Sequence, residues 1–151
     1  MGLIMAEQEE SLLDAFIDVY MNSIKYLGEF VSEPAKEFHL SFEQYLILRD
    51  ITQNTNVTLM DIASKRQVTR SAISRQIKVL LKQGYLQQRP DENDRRRLYL
   101  LATPAGTRAE RVIRQRINSR FQGWIDLYGD DRVHEVLDFI REFSQVTRMK
   151  K

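Results

Sequence analysis

The sequence predicts a mainly helical chain interrupted by a single β-hairpin, and three observations carry that reading. Over most of the 151 residues the apolar side chains recur every three or four positions, as along one face of a helix. Only around Arg97, Leu98, Tyr99 and Leu100 do polar and apolar residues alternate in the manner of a half-buried strand. Serine or threonine stands immediately before four of the periodic segments, at Ser41, Thr58, Thr69 and Thr103, where a side-chain oxygen can cap the free N–H groups of a helix.

Taken in order, Leu13, Phe16, Ile17, Tyr20, Ile24, Leu27, Phe30 and Val31 form one face of a long first helix, expected to end before Pro34. Ser41 followed by Gln44 fits a capping box opening SFEQYLILRDI, whose Phe42, Tyr45, Leu46, Leu48 and Ile51 supply a core face. TQNTN, residues 52–56, reads as a polar loop. TLMDIASK and TRSAISRQIKVLLKQG, opening at Thr58 and Thr69, are two short helices at helix-turn-helix spacing. Gly84 is placed to end the second in a left-handed conformation. YLQQR and RLYLL then pair as a ribbon with a charged tip, with Leu98 and Leu100 on its buried side and Arg97 and Tyr99 opposite. Thr103 and Pro104 begin a helix running to about Tyr128 and closed by Gly129. A last helix from about Asp131 carries Val133, Val136, Leu137, Ile140 and Phe143 on one face.

Composition bounds the function. With 42% hydrophobic and 29% charged residues, the chain suits one globular domain or a small domain with dimerising helices. No stretch approaches the roughly 18 apolar residues of a membrane span, and the start, MGLIMAEQEESLLDAF, is acidic where a secretory signal is basic, so a cytoplasmic location is expected. The absence of cysteine excludes disulfides, thiolate catalysis, thiol redox sensing and cysteine-ligated zinc. His39 and His134 are the only histidines and lie far apart, so no metal and no cofactor is expected. There is no glycine-rich phosphate loop and no recognisable set of nucleophile, base and orienter, which argues against an enzyme. Net charge is −7 over residues 1–57, +6 over 58–100 and +3 over 101–151. The basic middle suits a localised surface for a polyanion or, on charge alone, a solvated charged face.

On a helix over residues 70–81, Arg70, Ser71, Ser74, Arg75 and Lys78 fall within an arc of roughly 140°, while Ala72, Ile73, Ile77, Val79 and Leu80 take the other side. Three cations and two hydroxyls without an acid suit the DNA major groove, where arginine can take guanine in two hydrogen bonds. Thr69, which opens the helix, joins this candidate DNA-binding set.

Helix, turn, basic helix and charged ribbon, in that order, resemble the MarR family of bacterial winged-helix regulators, and the resemblance covers nearly the whole chain. RPDENDRRRLYLLATPAG is similar to the family's wing signature at Asp94, Arg96, Leu98, Leu100, Thr103 and Gly106, and TLMDIASKRQVTRSAISRQIKVLLKQGYL to its helix-turn-helix. The resemblance implies a winged helix-turn-helix DNA-binding region over 41–102, with long dimerisation helices at the N-terminal side (10–33) and C-terminal side (104–148). It implies that Arg96 enters the minor groove while Asp94 shapes the wing. A narrow minor groove attracts a guanidinium, and aspartate is also a common turn-former. Arg95 and Arg97 are candidate phosphate contacts or solvated charges, and Asp91 and Glu92 have no role beyond the turn.

Two positions depart from the family pattern. Where an apolar residue and glycine are usual at the turn, this chain has Arg66 and Gln67. Gln67 must take a positive φ or the turn is built differently, and Arg66 must extend outward or join the DNA face.

Phe16, Phe30, Ile117, Phe121, Trp124, Phe139 and Phe143 exceed what a small winged domain can cover, so a homodimer on a pseudo-palindromic double-stranded DNA operator is expected, most simply as a repressor. Relatives of this kind are commonly released from DNA by small aromatic or lipophilic ligands, for which Tyr20, Ile24, Tyr45 and Leu48 are the candidate lining residues, although their helical spacing is first of all that of plain core.

Overall fold

A computed structural model of the chain describes residues 11–149; residues 1–10, with most of the acidic start and the first residue of the expected dimerisation segment, and residues 150–151 lie outside the described residues. Six helices and one hairpin follow one another as α1 (Leu12–Lys36), α2 (Phe42–Gln53), α3 (Leu59–Arg66), α4 (Arg70–Lys82), β1 (Leu86–Pro90), β2 (Leu98–Ala102), α5 (Pro104–Tyr128) and α6 (Asp130–Met149). The protein is thus mainly helical with a two-stranded antiparallel wing.

Local chemistry starts each helix. Ser41 accepts the Gln44 N–H while the Gln44 side chain accepts the Ser41 N–H, and Thr58 and Asp61 form the same reciprocal pair at α3. That bonding to Thr58 holds the Asp61 carboxyl below its ordinary pKa. Thr69 caps α4 and Thr103 caps α5, with Pro104 in the first turn.

The wing and the base of α4 are joined by Thr103 and Gly106. The Thr103 hydroxyl donates to the Gly84 carbonyl at 2.6 Å, and its N–H donates to the Tyr85 carbonyl at 3.0 Å. A Cβ at Gly106 would lie 2.0 Å from the Tyr85 carbonyl oxygen, so only glycine lets α5 begin this close to the chain leaving α4. Of residues 52–56, expected as a loop, Thr52 and Gln53 belong to the end of α2, and the remaining three lead straight into a bridge: the Leu100 N–H donates to the Val57 carbonyl at 2.8 Å, which adds a third short segment beside the hairpin.

The core gathers Ile47 and Leu48 from α2, Ile62 from α3, Ile73 and Leu80 from α4 and Ile113 from α5, all fully buried. Outside it the picture inverts. α6 buries no residue, and α1 buries only Pro34 and Ala35.

The end of α1 also differs from expectation. α1 continues through Pro34 to Lys36. Proline removes the N–H that would bond the Phe30 carbonyl four residues back, and the Arg120 guanidinium of α5 supplies a donor to that carbonyl at 3.1 Å. The same side chain pairs with Glu33 at 3.2 Å, and Phe30 stacks on Trp124 with ring centroids 4.3 Å apart. α5 therefore repairs the proline position and holds α1 in place.

Candidate nucleic-acid interface

Burial fixes the roll of α4. Ile73, Ile77 and Leu80 face the core, and Gln76 is half-buried where its side-chain oxygen accepts a hydrogen bond from Gln44 of α2 at 2.9 Å. With about 100° per residue, the opposite side runs from Lys78 through Ser71 and Arg75 to Val79 and Ala72. All five are exposed, and so are Thr69 and Arg70 at the helix start. Two expectations need correction. Ala72 and Val79 lie outside the core because Ile73, Ile77 and Leu80 already fill the contact with α2 and α3, whereas Ser74 is half-buried at the edge of the face. The outward arc is rotated relative to one drawn from hydrophobicity alone.

The turn that aims this helix is also corrected in part. Gln67 is left-handed, with φ 53° and ψ 44°, and its N–H donates to the carbonyls of Ala63 and Ser64. Arg66 neither extends to solvent nor joins the DNA face. Its guanidinium takes both carboxylate oxygens of Glu43 on α2, through Nε at 2.9 Å and Nη2 at 2.5 Å, while neighbouring Lys65 pairs with Asp50. Two ionic contacts therefore tie α3 to α2 at the turn usually occupied by an apolar residue and glycine.

In the wing the main organiser is Asp91, which the sequence left without a role. One oxygen accepts the N–H groups of Asn93 and Asp94 at 2.7 and 3.0 Å, and the other accepts the Tyr99 hydroxyl. Tyr99, then the two backbone donors, hold the Asp91 carboxyl below its ordinary pKa, and the same hydrogen bond pushes the Tyr99 phenol up. Asp94 accepts the Arg96 N–H at 3.1 Å on its side chain and the Arg97 N–H at 2.9 Å on its carbonyl. It shapes the tip through the backbone, while the guanidinium of Arg96 is left out of that bond. Leu98, expected to be buried, is 40% exposed because it lies beyond the core's edge; Leu100 is the strand residue that enters the core. Tyr99 stands opposite Arg89 in the strand register, and the guanidinium carbons of Arg89 and Arg97 lie 5.9 and 5.7 Å from its ring centroid. The cross-strand pairing of Arg89 with Tyr99 was the available signal for this cluster. Arg95 and Arg96 are exposed, and among the described residues neither pairs with a carboxylate.

The four expected ligand-lining residues are not brought together. Tyr45 and Leu48 are packed within the core, Tyr45 beside Glu110, whereas Tyr20 and Ile24 are exposed on α1. A cleft of about 660 Å³ opens instead between α1, α5 and α6, lined by Val19, Leu27, Phe121, Trp124, Tyr128 and Val136 among others. His39 and His134 stay apart, and among the described residues no group of three or more histidine or acidic side chains is arranged to hold a metal. No helix among them is long and apolar enough to cross a membrane.

Comparison with known proteins agrees with this architecture. The family model described as MarR family matches residues 40–98, the span from the start of α2 to the start of β2. An uncharacterized HTH-type transcriptional regulator of Staphylococcus aureus strain Mu50 is 28% identical over 98 residues, 64% of this chain and 64% of the relative, so the matched chain spans just under two thirds of that relative's length. Among solved structures, Staphylococcus aureus MarR in complex with salicylate and kanamycin superposes with a TM-score of 0.75 at 17% identity, over 93% of this chain and 95% of that one. AbsC, a MarR family transcriptional regulator from Streptomyces coelicolor, gives 0.73 at 18% identity over 89% and 93%. Through the family's model at residues 40–98 and through the fold over nearly its whole length, this chain is similar to the MarR family of winged helix-turn-helix transcriptional regulators.

Proposed function

We propose that the protein is a homodimeric, sequence-specific DNA-binding repressor, with α4 in the major groove, Arg96 in the minor groove, and release by a small-molecule ligand. The observation that carries this reading is the surface of α4: Arg70, Arg75 and Lys78 stand exposed with hydroxyls between them and no acid on the helix. An ordinary solvated helix face mixes charge signs, whereas a phosphate-lined groove requires one sign. The wing adds Arg95 and Arg96, unpaired with any described carboxylate, on a tip already ordered by Asp91 and Asp94.

Dimerisation is supported by the flanking helices. Phe16 of α1 and Phe139 and Phe143 of α6 are 63%, 69% and 59% exposed, a density of apolar surface that monomers rarely tolerate. The named ligands of the Staphylococcus aureus structure, salicylate and kanamycin, show that a protein of this fold takes small molecules. In this chain the apolar cleft between α1, α5 and α6 is the better-supported effector site than the four residues expected from sequence.

Titration of duplex DNA flanking the protein's own gene, at several salt concentrations, tests the reading. Tight binding with a steep inverse dependence on salt is expected. Arg75→Ala and Arg96→Ala each cost about 1 to 3 kcal/mol of specific affinity. Unchanged specific affinity in both variants overturns the assignment of the reading elements.

A further inference from the structure

Ala72 is an apolar group where a DNA-reading surface would otherwise be polar. It is the third residue of α4, exposed, on the arc that also carries Ser71 and Arg75. Its backbone is pinned, since its N–H donates to the Thr69 Oγ1 that caps the helix at 3.2 Å. Its side chain is the Cβ methyl itself, with no heavy-atom torsion, so the backbone alone sets its position. Val79 shares the arc but lies about two and a half turns from the start, whereas base edges are met by the N-terminal residues of a recognition helix.

Resting on the DNA-binding reading above, we propose that Ala72 reads the C5 methyl group of a thymine, so that each operator half-site places a thymine beside the guanine taken by Arg75. Apolar contact with that methyl is how a small side chain distinguishes thymine from the other bases in the major groove. Arg75 follows Ala72 by three positions, which sets their Cβ atoms roughly 5 to 6 Å apart on the helix surface. At about 3.4 Å per base step, the thymine falls within about two base pairs of the guanine.

Duplexes enriched from a random library by the wild-type protein supply the probe. The expected motif holds a thymine within two positions of a guanine in each half-site. Replacing that thymine by deoxyuridine removes one methyl group and leaves base pairing intact. Wild-type affinity then falls about fourfold for one half-site, the effect of one buried methyl-sized group. Placing 5-methylcytosine opposite guanine at that position, in place of cytosine, recovers part of the loss relative to the unmethylated pair. In Ala72→Gly, and in Ala72→Ser should the glycine loosen the helix, the uracil and thymine duplexes bind alike. If deoxyuridine is tolerated at every thymine of the motif, or weakens the wild type and both variants equally, Ala72 is not the reader although DNA binding stands. If the wild type enriches no sequence at all, the underlying DNA-binding reading fails and this assignment with it.

Discussion

Gln67 and Asp91 show how single side chains shape the reading elements. A left-handed backbone at a residue with a Cβ costs on the order of 1 to 2 kcal/mol, part of which glycine returns through its greater freedom in the unfolded chain. Gln67→Gly is therefore expected to stabilise the protein by roughly 0.5 to 1 kcal/mol, read as a higher urea midpoint with an unchanged m-value. Since φ 53° is already the glycine-like conformation, the variant should bind DNA as the wild type does. Asp91 makes a different prediction. Its folded pKa lies below the ordinary 3.8, so its stabilisation of the wing is fully present above that value and is lost as pH falls through the depressed folded value. An NMR titration of the Asp91 carboxyl carbon is expected to give a midpoint below 3.8. In Tyr99→Phe the midpoint moves up toward it, because Tyr99 is the strongest of the three donors. An unchanged midpoint in that variant would remove the Tyr99 hydrogen bond from the account of the wing.

At the scale of elements, α1 and α5 are joined at a position that proline makes vulnerable. Arg120→Ala leaves the Phe30 carbonyl without its donor and breaks the pair with Glu33, and a part-buried unsatisfied carbonyl costs about 1 to 2 kcal/mol. Thermal melts are expected to show that loss, and hydrogen exchange to open the last two turns of α1 first; unaltered exchange there would mean that α1 closes over Pro34 unaided. This contact also explains why the sequence stopped the helix too early. The rule that proline ends a helix is local, and the compensating donor lies 90 residues away. What local chemistry controls was legible: the capping residues Ser41, Thr58, Thr69 and Thr103, the left-handed Gly84 and the inward side of the strand at Leu100 all stand where side-chain type places them. What depends on partners across the fold was not. The roll of α4 is set by α2 and α3, so Ala72 could be misplaced by its hydrophobicity. Arg66 finds Glu43 on another helix, and Asp91 finds Tyr99 across the wing.

For the whole molecule, the distribution of burial separates a closed winged domain from two helices whose apolar faces stay exposed. The core between α2 and the first half of α5 is complete, with six large side chains fully buried, while α6 buries none. The exposed residues of α1 and α6 are not scattered: Phe16, Tyr20, Ile24 and Leu27 follow helical spacing on one element, and Val136, Phe139, Ile140 and Phe143 on the other. Scattered apolar residues need no explanation, but two continuous stripes on adjacent ends of the chain do. A two-fold dimer built from them would place its two copies of α4 on one face of DNA, where half-sites recur at about 34 to 36 Å. Breaking the dimer therefore separates affinity from the chemistry of reading. Phe16→Glu combined with Phe143→Glu puts charge into both stripes without touching the winged core. Sedimentation is expected to show a folded monomer, with near-wild-type helix content. Specific DNA affinity falls about 10² to 10⁴-fold, because the second half-site is no longer held at high local concentration, while weak salt-dependent binding through one recognition helix survives. If the double variant still sediments as a dimer, the stripes of α1 and α6 are not its interface. If it is monomeric yet binds as tightly as the wild type, one winged domain is sufficient for recognition.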